Sequence, residues 1–166
     1  MKKLLCGAVL LVVASPVMAN ADYDALLKRY NDLHPVAEKV ITLSTYIKNN
    51  AIGSFNEYNN GDVEALKNMH MLLNKLDGFG KELGEPLHNA PYSSCGSVSA
   101  MTGLYWDAVM SAKDGISDDK IENIDRAKIN MTKRINECKY EALMKPEDDS
   151  KRDANGKDDR IVIEVP

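Results

Sequence analysis

Two cysteines, Cys95 and Cys138, stand about 20 residues to either side of Gly115, each on a stretch whose apolar residues recur at helical spacing. At ~1.5 Å per residue, two such helices return about 30 Å to a common level. An antiparallel hairpin turning at Gly115 therefore brings the two sulfurs together. Closing a loop of about 43 residues stabilises a chain by roughly 4 kcal/mol in the chain-entropy description, comparable with the whole net stability of a small domain. The pair has no CxxC spacing, so a structural disulfide is expected rather than a redox site.

The N-terminus supplies the compartment such a bond requires. Lys2 and Lys3 precede an apolar run, Leu4–Val13, and Ala19-Asn20-Ala21 has the small-x-small form of a cleavage site. The run is shorter than the ~20 apolar residues that span a bilayer. Met1–Ala21 thus reads as a cleaved signal peptide of a bacterial periplasmic protein, where thiols pair. Cys6 leaves with it. Without Lys2 and Lys3, 19 basic residues face 25 acidic ones, a net charge of −6. That balance disfavours a nucleic-acid partner, whose phosphates need a basic surface, and no later segment is suited to stable membrane insertion.

Residues 22–145 read as a single helical domain. Asp22 opens a first helix to about Asn49, with Leu26, Leu33, Val40 and Ile47 every seven residues and Tyr30, Ala37 and Ser44 between them. The stripe keeps its register across Pro35, which predicts a helix kinked or broken there. Asn49–Gly61, rich in Asn, Gly and Ser, reads as a loop. Asp62 caps a second helix with the stripe Leu66, Met69, Leu73 and Leu76, weakened by Gly78 and Gly80, before an irregular Asp77–Tyr92 connection. Ser93 or Ser94 would cap a third helix carrying Val98, Met101, Tyr105, Ala108 and Ala112. Its Gly96, Ser97, Ser99, Ala100, Thr102 and Gly103 would admit a neighbour's backbone at close range. Ser117 caps a fourth helix along Ile121, Ile124, Lys128, Met131, Ile135, Cys138 and Ala142, which Pro146 stops. The expected fold is all-α, a four-helix up-down-up-down bundle with one disulfide. The charged tail, residues 146–166, is expected to be disordered and to end in a short β-capable run, Ile161–Val165.

Chemistry-bearing residues are sparse. Met69-His70-Met71 offers thioether and imidazole ligands of the kind copper or haem iron takes, but adjacent helical residues point about 100° apart. Glu82, Glu85 and His88 lie close together in the Gly/Pro-rich connection, where a solvated charged loop is the ordinary reading. The serines around Cys95 have no GxSxG context. Trp106, beside Tyr105 on the small-residue helix, and the aromatics Phe55, Tyr58, Phe79 and Tyr92 on segments read as irregular, either fold back on the bundle ends or form a contact surface. The expectation is a binding protein without enzymatic activity and without a cofactor. Its partner would be an envelope protein, met as an inhibitor, immunity protein or adaptor through Phe55, Tyr58, Phe79, Glu82, Glu85, His88, Tyr92 and Trp106. A homodimer is left open. The alternative is a haem- or metal-binding bundle using His70 and Met69.

Overall fold

The computed structural model describes residues 17–84 and 91–144, with side chains from residue 24 onward. Four α-helices follow one another: α1 (Val17–Asn59), α2 (Val63–Leu83), α3 (Ser93–Met110) and α4 (Asp118–Leu143). A 3₁₀ turn, Ser111–Asp114, prolongs α3. No strand occurs among the described residues. The last residues of the expected leader, Val17–Ala21, open α1; the earlier ones and the tail at 146–166 lie outside the described residues.

Helix α1 runs through Pro35 without a break. The ring deprives the Asn31 carbonyl of its usual N–H partner. Both Pro35 and Asn31 are exposed, so water can serve that oxygen and the helix tolerates the loss.

The loop expected at Asn49–Gly61 is instead mostly helix: α1 continues to Asn59. Ala51 and Phe55 extend the stripe from Ile47 in steps of four, and both are buried in the core. The poor helix propensity of the Asn and Gly residues is offset by burying that face. The helix then stops within three residues. Gly61, at φ +100°, donates its N–H to the Tyr58 carbonyl, and Asp62 donates its own to Glu57, each at 3.0 Å. This is a Schellman termination, which needs the left-handed backbone glycine allows. Asp62 at once caps α2, its Oδ1 accepting from the N–H groups of Glu64 (2.9 Å) and Ala65 (3.3 Å).

Helix α2 likewise passes through Gly78 and Gly80 to Leu83, so Phe79 and Glu82 are helical rather than on a connection. Gly80 has a packing reason to be glycine. A Cβ there would lie 2.5 Å from Ser99 Oγ, and one at Gly96 would lie 2.7 Å from the Gly84 carbonyl oxygen. The small-residue face of α3 thus admits the end of α2 almost backbone to backbone, as its composition predicts.

Directions alternate along the chain. At one end Tyr30 and His34 of α1 meet Tyr92 and the Ala142 carbonyl; at the other, Tyr58 of α1 meets Lys113 beyond α3. Helix α3 packs against all three others. Its Val98, Thr102, Tyr105, Trp106 and Val109 join Val40 and Ile47 of α1, Met69 and Leu76 of α2, and Met131 and Ile135 of α4 in one core. The buried hydroxyls of Ser44 and Thr102 donate to the carbonyls of Val40 (2.7 Å) and Val98 (2.8 Å), one turn back, so neither is left unsatisfied. Ile121, expected on the α4 stripe, is instead 47% exposed. At ~100° per residue it stands about 80° from Met131, at the edge of the buried arc.

Cys95 and Cys138 are bonded, with an S–S distance of 2.02 Å and Cα atoms 4.5 Å apart. Both are fully buried. The hairpin geometry read from their similar distances to Gly115 is the geometry observed.

Candidate functional site: a groove between α3 and α4

The aromatics expected to meet a partner are mostly spent on closing the bundle. Phe55 and Tyr92 are buried, and Trp106 is 2% exposed with its ring edge-on to His70 at 6.5 Å. Tyr58 accepts a 2.9 Å hydrogen bond from the Lys113 ammonium. The ammonium is 5.2 Å from the ring centroid, so the hydroxyl, not the ring face, is its partner. Phe79 is half-buried, with the Lys39 ammonium 5.4 Å from its centroid. Glu82 is exposed on the last turn of α2. Glu85 and His88 lie outside the described residues. Those of these side chains that lie among the described residues are not gathered on one surface: Tyr58 and Tyr92 mark opposite ends.

Met69 and His70 also part company. Met69 is 1% exposed in the core, whereas His70 is exposed on the flank of α2. Among the described residues no group of three or more His, Cys, Asp or Glu side chains could hold a metal ion.

The cysteine end is held by a polar cluster that has no signature in the sequence. Helix α3 starts after Tyr92, whose φ of +61° places it in the left-handed region and which offers no side-chain cap. Ser93 and Ser94, expected as caps, sit inside the first turn. The cap comes from α4: the Glu141 carboxylate accepts from the Ser94 N–H (2.8 Å), the Ser94 hydroxyl (2.8 Å) and the Ser93 hydroxyl (3.2 Å). A carboxylate suits the positive end of the α3 dipole. Beside it, His34 Nε2 lies 3.2 Å from the Ala142 carbonyl in the last turn of α4. Burial raises the Tyr92 hydroxyl above the usual phenol value, with smaller contributions from Glu141 and Glu38. These groups hold the ends of α1, α3 and α4 in place.

A concave feature of the described molecule lies farther along the same two helices. Met101, Leu104, Asp107 and Ala108 of α3 face Asn123, Arg126, Ala127 and Asn130 of α4 across a groove of about 350 Å³. Tyr105, Met131 and Ile135 of the same helices are buried in the core, whereas the groove is lined by an alanine from each helix, Ala108 and Ala127. Met101 and the two alanines provide apolar lining, Leu104 is 56% exposed at the margin, and Asp107 and Arg126 bring opposite charges to opposite walls. Arg126 is also steadied by Glu122 one turn earlier, at 2.5 Å. The groove thus combines an apolar lining with hydrogen-bonding and ionic groups at its edges.

The sequence pattern alone does not point to this groove. A signal for it exists: Asn123, Ala127 and Asn130 repeat at steps of four and three, as do Met101, Leu104 and Ala108 at three and four. Only the pairing of the two faces gives that spacing meaning. No protein-family model, curated protein or solved structure matches the chain.

Proposed function

We propose that this chain acts by binding a protein partner in the bacterial envelope, rather than by catalysis, in the manner of an inhibitor, an immunity protein or an adaptor. The observation that carries the reading is the α3–α4 groove, set between two helices that the Cys95–Cys138 bond and the Glu141 cap lock at one end. A groove on helices locked in this way is preformed, and preformed surfaces bind without first being ordered. Its lining selects a partner segment with an apolar centre, a cation for Asp107 and an anion for Arg126.

Three observations support the location. No described helix is long and apolar enough to cross a membrane. The disulfide is compatible with a periplasmic or extracellular setting. The leader-like Met1–Ala21 offers a route to the periplasm.

The test is capture from periplasmic extract by the wild-type protein and by two groove variants, Leu104→Glu and Arg126→Glu. Both residues are exposed, so both variants should keep wild-type circular dichroism and melting temperature. The expected result is one protein retained in stoichiometric amount by wild type and lost from both variants. Retention of nothing above background, or equal retention by all three forms, would overturn the proposal.

A further inference from the structure

We infer that the groove has a ligand within the chain itself: the C-terminal segment Arg160–Val165 occupies it until a partner displaces that segment. The inference rests on the reading of the groove as a binding surface and adds the identity of its resident occupant.

Three observations converge on this segment. The first is chemical complementarity. The groove offers Met101, Ala108 and Ala127 as lining, with an anion, Asp107, on one wall and a cation, Arg126, on the other. The run Arg160-Ile161-Val162-Ile163-Glu164 is an apolar triplet bounded by a cation and an anion. In extended form its two charges stand about 13 Å apart at ~3.3 Å per residue, a span that long Arg and Glu side chains can adjust to meet opposite walls.

The second is reach. Residue 130, at the near edge of the groove, lies about 21 Å along α4 from Met144, at ~1.5 Å per residue. The stretch 145–159 can span up to about 50 Å. The segment therefore returns to the groove with length to spare.

The third is selectivity within the tail. Residues 147–159 are charged or small and contain no large apolar side chain, so Ile161–Val165 is the part of the tail with apolar surface to bury. A tether of this length holds its end at a local concentration on the order of millimolar. Weak intrinsic affinity thus suffices to fill the groove, and a partner of moderate affinity suffices to empty it. The consequence is a recognition surface that does not leave its apolar lining exposed when alone, and a partner that must outcompete a tethered mimic of itself.

The test uses the full, oxidised chain carrying the photocrosslinking residue p-benzoylphenylalanine in place of Ile163, irradiated at two protein concentrations tenfold apart. Mass spectrometry should find crosslinks within one chain to Met101, Leu104 or Ala127, in a yield independent of concentration. Asp107→Lys should lower that yield several-fold, and adding Arg160→Glu should restore it. Crosslinks scattered over α1 and α2, crosslinks between chains that grow with concentration, or a charge swap without rescue would each overturn the inference. The experiment contains no partner, so its failure leaves the capture results with Leu104→Glu and Arg126→Glu standing. The loss of those capture results would in turn leave any intramolecular crosslink standing.

Discussion

The Glu141 carboxylate of α4 caps the first turn of α3 by accepting both the N–H and the hydroxyl of Ser94, each at 2.8 Å. The contact lies one turn beyond Cys138, so a covalent bond and a charge-assisted cap act on the same helix ends. Glu141→Ala should lower stability by about 1–3 kcal/mol, the cost of leaving part-buried donors without their charged acceptor. Glu141→Gln, which keeps an acceptor and loses the charge, should lose less. Urea unfolding followed by circular dichroism measures both. In a Cys95→Ala/Cys138→Ala background the Glu141→Ala penalty should shrink, because the cap then acts on ends no longer held at a fixed separation. Equal penalties in the two backgrounds would show that cap and bond act independently.

The glycines of α2 and α3 divide by what surrounds them. Gly96→Ala would push a Cβ to 2.7 Å from the Gly84 carbonyl oxygen, a backbone atom that cannot swing aside. A loss of about 1–3 kcal/mol is expected as the helices separate. At Gly78, on the surface of α2, a methyl group would meet nothing within 4 Å. There alanine should stabilise the protein by about 0.5–1 kcal/mol through helix propensity alone. Opposite signs for two chemically identical substitutions, read as denaturation midpoints, are the outcome to check.

Tyr105 is fully buried, and its hydroxyl has no hydrogen-bond partner among the described residues. Tyr105→Phe removes that hydroxyl while keeping the ring that fills the core. The variant should be more stable than wild type by about 1 kcal/mol at neutral pH, the cost of an unsatisfied buried polar group. Thermal or urea unfolding that finds Tyr105→Phe destabilised would mean the hydroxyl has a partner in solution.

Tyr92 behaves differently because its hydroxyl donates to the Tyr30 carbonyl at 3.3 Å. Tyr92→Phe should cost about 1 kcal/mol at pH 7. Burial and the nearby Glu141 and Glu38 raise the folded-state value of this phenol above its ordinary 10.0. The native state therefore holds the phenolic proton more tightly than the unfolded chain does. The resulting stability is fully present below about pH 10 and is lost as pH rises through the folded-state value. Wild-type stability should fall in that alkaline window more steeply than that of Tyr92→Phe, narrowing the gap between them. Unfolding free energies measured from about pH 8 to about pH 11 give the comparison.

Local signals carried much of the architecture. The 3–4 spacing of Val40, Ser44 and Ile47, or of Met131, Ile135 and Cys138, marks a buried helical face wherever it occurs, because a helix turns one side to its neighbours. Asp62 and Ser117 act as caps through bonds to residues two or three positions on. Residues 50–59 misled for the converse reason. Asn, Gly and Ser weigh against a helix locally, and the burial of Ala51 and Phe55 that outweighs them depends on helices distant in sequence.

By itself, then, the order of residues determined four amphipathic rods, their reversals and the meeting of Cys95 with Cys138, since each follows from short-range periodicity and chain length. Only the tertiary structure decided that Glu141 caps a helix beginning 48 residues before it, that Phe55, Tyr92 and Trp106 serve the interior, and that two modest alanines, Ala108 and Ala127, line one groove. Those outcomes are properties of surfaces facing one another, and a facing surface has no signature along a single chain until packing sets its partner.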